Sequence, residues 1–183
     1  DVACCAPLID GGLLLALRSG LVRFDPATGA ATPLLDKLPY DPKAERFNDG
    51  KADPQGRLWV GTIHERREPQ AALYRWADGE LARMADAITV SNGLAWSPDA
   101  RTMYWADTKA HAVFAFDFDG ADGSISSRRM FAQFPPKAVD QDLAQYGGRP
   151  DGAAMDSQGH YWVAMFEGAR VLRIAPDGRV VQQ

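Results

Sequence analysis

Three polar residues, Asn48, Asn92 and Asp151, occupy the same position in a repeated sequence pattern. Each lies eight residues before the turn residue of its repeat, and each is followed within two positions by a glycine. Amide and carboxylate oxygens are ligands that Ca²⁺ and Mg²⁺ prefer, and carboxylates also bind Zn²⁺ and Mn²⁺. The shared spacing therefore predicts a divalent-metal site. For any one of these residues taken alone, the alternative is a turn cap.

Arg46 precedes Asn48 by two positions, so the two side chains of an extended strand would point to the same face. The planar guanidinium is suited to holding a carbonyl or a hydroxyl-rich ligand. An ion pair with Glu45 or Asp49 is the alternative interpretation of Arg46. We therefore predict that Arg46 and Asn48 bind substrate, with this alternative left open.

The elements that must position these residues are short strands separated by tight turns. An aromatic, β-rich run follows each of the three turns within a few residues. The turn residues are Gly56, Ala100 and Gly159, and the runs are Leu58–Val60, Met103–Trp105 and Tyr161–Val163. Third strands follow, and their markers Phe24, Trp76, Phe116 and Ile174 stand 52, 40 and 58 residues apart. Such intervals are typical of four-stranded propeller blades with inserted loops.

We therefore predict an all-β fold, a single partial β-propeller domain over residues 1–183. The approximate blades are 1–40, 41–86, 87–134 and 149–183, with a long loop at 135–148 that holds a short helix near 140–146. The loop is either a lid or a surface excursion. In a propeller the first strand of every blade lines the central channel, so the three oxygen donors should converge at its mouth. The equivalent position of the first blade is Cys4, which we interpret as a packing residue.

Composition excludes several functions. The net charge is −4 without a basic stripe, so a nucleic acid is a poor partner. Apolar runs such as Leu13 to Leu17 are too short to span a bilayer. The two cysteines, Cys4 and Cys5, are adjacent, which disfavours a disulfide between them and favours reduced thiols and a cytoplasmic setting.

Three ordered motifs resemble the gluconolactonase/regucalcin (senescence marker protein) family. They are ERFNDGKADPQGRLWVGT, VSNGLAWSPD followed by MYWADT, and RPDGAAMDSQGHYWVA with GARVLRIAPDG. The resemblance covers essentially the whole chain. It implies a six-bladed propeller with a divalent metal, Ca²⁺ or Zn²⁺ before Mg²⁺ or Mn²⁺, that hydrolyses sugar lactones to aldonic acids.

The resemblance also implies roles for individual residues. Asn92 and Asp151 match the family's metal ligands, and Arg46 and Asn48 match positions that bind substrate or line the metal site. The family's remaining ligand is a glutamate in a GEGP-type motif of the first blade, and that motif does not occur in residues 1–183. Four first-strand positions cannot close a six-bladed ring, so we expect this chain to be part of a larger propeller.

The predicted function is metal-dependent hydrolysis of a gluconolactone-like sugar lactone, with Asp151 as the general base. Two alternatives remain open. One is a non-catalytic calcium-binding regulatory protein of the regucalcin type. The other is a propeller that serves as an interaction scaffold, which has no need for oxygen donors in one register.

Overall fold

The computed structural model describes residues 1–183, which form sixteen β-strands and one short 3₁₀ helix, Leu143–Gln145. The strands in chain order are β1 Val2–Pro7, β2 Leu13–Leu17, β3 Gly20–Phe24, β4 Ala31–Pro33, β5 Glu45–Ala52, β6 Leu58–His64, β7 Ala71–Ala77, β8 Glu80–Ile88, β9 Ser91–Trp96, β10 Thr102–Asp107, β11 Ala112–Asp119, β12 Ser124–Gln133, β13 Arg149–Met155, β14 Tyr161–Phe166, β15 Arg170–Ile174 and β16 Val180–Gln182. The structure contains no helix with the length and apolar character that a membrane span requires.

The strands form four antiparallel sheets, and within each sheet every strand pairs with the next one along the chain. The sheets are β1–β4, β5–β8, β9–β12 and β13–β16. The first two sheets belong to a compact unit, Asp1–Val90, and the last two belong to a second unit, Ser91–Gln183. The all-β prediction is confirmed, since each sheet has the up-and-down order of a propeller blade.

The second strand of each of the last three sheets carries a large ring that is almost inaccessible to solvent. These rings are Trp59 on β6, Trp105 on β10 and Tyr161 on β14, each less than 2% exposed. β6 is buried along its whole length, as is usual for a strand covered on both faces. The aromatic runs that follow the turns are therefore core strands, and their burial holds each sheet in place.

An aspartate anchors the tryptophan six residues later in two of the sheets. Asp53 accepts hydrogen bonds from the backbone of Arg57 at 3.0 Å and from Trp59 Nε1 at 3.0 Å. Asp156 accepts the equivalent bonds from the backbone of His160 at 2.8 Å and from Trp162 Nε1 at 3.0 Å. Each carboxylate thus closes its turn and fixes a tryptophan of the following strand.

We expect Asp156→Asn to destabilise the protein at neutral pH and not in strong acid. Desolvation would raise the pKa of Asp156, but hydrogen bonds from Trp162, His160 and Arg173 outweigh it and hold the pKa well below the usual 3.8. A carboxylate with a lowered pKa stabilises the folded state above about pH 4, and this contribution is lost as the pH falls below that value. Thermal unfolding at about pH 7 and about pH 2 measures the difference, because the contribution of such a carboxylate is lost progressively between about pH 5 and about pH 1.

The matched control for this prediction is Asp177→Asn, in the β15–β16 turn of the same sheet. The Asp177 side chain is 64% exposed and its closest cation is Arg179, at 3.8 Å. An exposed pair of this kind contributes little to stability. A melting-temperature loss in Asp156→Asn that is the same at both pH values would contradict the electrostatic explanation.

The segment between β12 and β13 is held down at both ends. Phe134 N donates to His111 O at 2.8 Å, and the hydroxyl of the buried Tyr146 lies 2.6 Å from His111 Nε2. The helix here is shorter than expected and covers only Leu143–Gln145, because Tyr146 adopts an extended conformation and turns into the protein. Asp142 caps this single turn by accepting from Ala144 N at 3.0 Å.

Candidate active site

The first strand of every sheet carries one extra residue relative to its partner strand, which is the geometry of a β-bulge. The register shifts lie between Val2 and Cys4 in β1, between Phe47 and Gly50 in β5, and between Pro150 and Ala153 in β13. In β9 the shift lies directly after Asn92. A bulge interrupts the alternation of side chains and turns one of them in a new direction. Asn48, Asn92 and Asp151 therefore all lie at or beside such a bulge.

A buried hydroxyl links Asn92 to the strand that carries Asp151. Asn92 Nδ2 donates to Thr108 Oγ1 at 2.7 Å, and Thr108 Oγ1 donates to the carbonyl oxygen of Pro150 at 2.6 Å. Both side chains are buried. Because the hydroxyl has only one proton, it can donate to Pro150 only while it accepts from Asn92. These two hydrogen bonds form an Asn92–Thr108–Pro150 relay. The relay fixes which end of the Asn92 amide is nitrogen and which is oxygen.

Gly93 brings the β9 backbone against the backbone of Asp151. Its carbonyl accepts a hydrogen bond from Tyr161 Oη at 2.6 Å, and its φ of +59° lies in the left-handed region. A Cβ atom at this position would lie 2.8 Å from the carbonyl oxygen of Asp151 and would also collide with the Tyr161 hydroxyl. Glycine is therefore required here, both by its backbone conformation and by the close approach of the two strands.

Asp151 is a half-buried carboxylate that forms no ion pair in the structure. Burial raises the pKa of Asp151 above its usual value, while a hydrogen bond from the Gly152 backbone and the charge of Arg149 act in the opposite direction. A desolvated carboxylate of this kind binds a proton or a cation more readily than an exposed one. Asp151 is thus suited to act as a base or as a metal ligand.

Arg46 and Asn48 lie together on β5 in the first unit. Arg46 Nη1 is 3.3 Å from Asn48 Oδ1 and 3.2 Å from the carbonyl oxygen of Phe47. The acid beside Arg46 is Glu65, at 3.5 Å, and Glu65 also accepts from Arg18 at 2.7 Å.

The partners proposed for Arg46 from the sequence, Glu45 and Asp49, are therefore not the acid it pairs with. Glu45 is buried and accepts from the Thr62 hydroxyl instead. The charge of Arg46 is balanced by Glu65, which directly follows β6. The residues next to Arg46 in the sequence do not indicate this partner.

Cys4 behaves as a packing residue rather than a reactive thiol. Burial, followed by the charges of Asp49 and Cys5, raises the pKa of Cys4 to about 12. A Cβ atom on Gly50 would lie 2.5 Å from the Cys4 sulfur, so the two strands approach closely at this point. A thiol with so high a pKa is neither a nucleophile nor a metal ligand at neutral pH. Both Cys4 and Cys5 are free.

The donors around Asp151 fit a hard divalent cation. One donor is the half-buried carboxylate of Asp151, whose charge is poorly solvated. The other is the amide oxygen of Asn92, because the amide nitrogen donates to Thr108. No group of three or more His, Cys, Asp or Glu side chains lies together within residues 1–183. Two oxygen donors, Asn92 and Asp151, belong to one unit, and the hydrogen bonds of Thr108 to Asn92 and Pro150 link the strands that carry them.

Four up-and-down sheets, each with a bulge in its first strand, define a β-propeller protein. The chain belongs to the family described as SMP-30/Gluconolactonase/LRE-like region, whose sequence profile matches residues 1–183. It is 39% identical over its full length to a 6-deoxy-6-sulfogluconolactonase from Pseudomonas putida, and 37% identical over 96% of its length to regucalcin from Danio rerio.

Comparison of structures gives the same family. A calcium-binding protein from Agrobacterium tumefaciens, regucalcin, matches 99% of this chain with a TM-score of 0.86 and 28% identity. The propeller prediction is thereby confirmed. This chain spans 60% of the Pseudomonas protein, 57% of the Danio protein and 59% of the Agrobacterium chain.

Proposed function

We propose that this chain carries part of the active site of a sugar lactonase, which hydrolyses a gluconolactone-like ring ester to the aldonic acid with the help of a divalent metal. The observation that carries the proposal is the half-buried Asp151 carboxylate beside the Asn92–Thr108–Pro150 relay. Membership of a family that includes a named gluconolactonase supports it.

Asn92, through its amide oxygen, and Asp151, through its carboxylate, are the residues that would hold the metal. A bound divalent cation supplies a Lewis acid, which polarises a carbonyl oxygen or lowers the pKa of a water molecule. Ca²⁺ and Zn²⁺ are the ions we favour, with Mg²⁺ and Mn²⁺ as further candidates.

Asp151 has a second role as general base. A carboxylate has two oxygens, so one can bind a cation while the other accepts the proton of the attacking water. The raised pKa of Asp151 makes it a stronger base than an exposed aspartate.

Arg46 and Asn48 are assigned to substrate binding. The contact of Arg46 Nη1 with Asn48 Oδ1 and the ion pair with Glu65 limit the motion of the guanidinium. A pre-ordered guanidinium can orient sugar hydroxyls or stabilise negative charge that develops on the lactone oxygen.

Metal removal tests the proposal directly. We expect the complete product of the gene to hydrolyse gluconolactone, to lose nearly all activity after dialysis against a chelator, and to recover it on addition of one of the four candidate ions. The measurement is the rate of acid release at constant pH. Turnover that chelation leaves unchanged would sink the metal-dependent mechanism.

Thr108→Val is expected to lower metal affinity or kcat/KM by about 10- to 100-fold, because removal of a group that orients a ligand typically has an effect of this size. Valine has the shape of threonine but can neither accept from Asn92 nor donate to Pro150. Thr108→Ser keeps the hydroxyl and should restore most of the affinity. Equal metal affinity in the valine and serine variants would show that the relay does not position Asn92.

A non-catalytic calcium-binding protein is the second candidate, and the regucalcin relatives favour it. The same two oxygen donors serve either function. Calcium binding measured by calorimetry at micromolar affinity, without hydrolysis of any sugar lactone, would support this alternative.

A further inference from the structure

A cavity of about 560 Å³ lies in the second unit, beside the strand that carries Asp151. It is bounded by the turn between β10 and β11 and by the segment before β13. Three cations, Lys109, Lys137 and Arg149, line it together with a single carboxylate, Glu167. The volume is in the range of pockets that hold small-molecule ligands.

The cavity carries an excess of positive charge. Glu167 Oε2 is 2.9 Å from Arg149 Nη2, so the only carboxylate is already paired. The ammonium groups of Lys109 and Lys137 form no hydrogen bond or ion pair in the structure. Two lysine charges are therefore available to a ligand, and their mutual repulsion falls when an anion binds between them.

Arg149 also has an unused donor. Its Nε is buried and has no hydrogen-bond partner, although its Nη2 is paired with Glu167. Guanidinium groups are suited to carboxylate, sulfonate and phosphate oxygens because they donate in a planar fork.

The wall of the cavity is rigid on the side of His111. His111 Nδ1 lies 3.1 Å from the carbonyl oxygen of Lys109 and must donate to it, so in the neutral imidazole Nε2 accepts from the Tyr146 hydroxyl at 2.6 Å. Gln133 Nε2 donates to the carbonyl oxygens of Ala110 and His111 at 3.0 Å. These bonds hold the turn that carries Lys109 in position before any ligand arrives.

The cavity and the proposed reaction centre share strand β13. Arg149 precedes Asp151 by two residues on β13 and lines the cavity. Lys109 directly follows Thr108, whose hydroxyl bonds to Pro150. One strand therefore carries both the candidate base and a cation of the cavity.

We propose that this cavity binds an anionic group on the substrate, so that the preferred lactone carries a carboxylate, sulfonate or phosphate at the end remote from its ring carbonyl. This inference rests on the proposed lactonase function. The inference concerns the charge at the remote end of the lactone. Asn92 and Asp151, which are assigned to the metal and the ring ester, do not determine that charge.

The test compares glucono-1,5-lactone with its 6-phospho derivative as substrates of the complete gene product. We expect kcat/KM to be at least about tenfold higher for the phosphorylated lactone, and this ratio to fall about tenfold in the double variant Lys109→Gln, Lys137→Gln. The ratio should also decrease with ionic strength, since salt screens partly exposed charges. Lys43→Gln, at an exposed lysine outside the cavity, should leave the ratio unchanged.

A binding measurement separates failure of this inference from failure of the proposed function. Calorimetry compares 6-phosphogluconate with gluconate, and tighter binding of the phosphorylated acid that weakens in the double variant supports the cavity even if neither lactone is hydrolysed. Equal binding of the two acids, or equal kcat/KM for the two lactones, overturns it while leaving the lactonase proposal intact.

Discussion

Asp151→Asn is expected to hydrolyse a sugar lactone at least about 100-fold more slowly than the parent protein. General-base catalysis typically contributes 10²- to 10⁴-fold to a rate, and the amide can neither accept the proton of water nor bind a cation with a full negative charge. The substitution preserves shape, so the loss should appear in kcat rather than through misfolding. Initial rates at saturating substrate, with metal in excess, provide the measurement.

The stability of the same variant is the control. Ionised Asp151 is poorly solvated, which costs the folded state free energy at neutral pH in the absence of metal. In the presence of a chelator, Asp151→Asn should therefore unfold at a temperature no lower than that of the parent. An inactive variant that is equally or more stable locates the defect in chemistry. Turnover at the rate of the parent would remove Asp151 from the mechanism.

Gly93→Ala is expected to destabilise the protein by about 3 kcal/mol and to lower activity. A left-handed conformation costs an alanine about 1–2 kcal/mol, and overpacking typically adds 1–3 kcal/mol. The added methyl group would collide with the Tyr161 hydroxyl and the Asp151 carbonyl oxygen, so β9 and β13 must separate where the two ligands lie. For a protein of this size the melting temperature should fall by roughly 6 to 12 °C.

Gly152→Ala is the matched control for Gly93→Ala. Gly152 is the neighbour of Asp151, yet a Cβ atom there would contact nothing within 4 Å and its φ is not in the left-handed region. We expect a change of less than about 1 kcal/mol, since such a site lacks the features that cause large effects. Similar losses in both variants would show that the close approach at Gly93 is not what limits stability.

The sequence predicted the strands well because their signals are local. Turns at Gly56, Ala100 and Gly159 are followed by aromatic runs, and these become β6, β10 and β14. Asp53 and Asp156 each stand six residues before the tryptophan that they anchor. That spacing is not sufficient to predict the bond, since Asp99 also precedes Trp105 by six residues but Trp105 Nε1 donates to Ser91.

The surroundings of the candidate ligands could not be predicted in the same way. Thr108 bonds to Pro150 across 42 residues, and Tyr161 bonds to Gly93 across 68. Only the folded arrangement of two sheets brings such groups together. Thr108 lies in the MYWADT motif, but nothing in its spacing from Asn92 shows that its hydroxyl orients the amide.

The bulges were also missed, although their signal was present. A glycine one or two positions after each oxygen donor indicated close backbone approach, and the extra residue that it accompanies turned out to be a feature of all four first strands. A bulge shifts the alternation of side chains by one residue, and these first strands are too short for the shift to be recognised in the sequence.

One consequence of the bulges concerns how such a protein can change over evolutionary time. Two of the three donors, Asn48 and Asp151, belong to no ladder pair, so replacing their side chains disturbs no cross-strand pair of the sheet. β1 retains the irregularity beside Cys4 but offers no oxygen donor there. Duplicated blades can thus exchange ligands for packing residues one at a time, and new specificities can arise on a scaffold whose core remains unaltered.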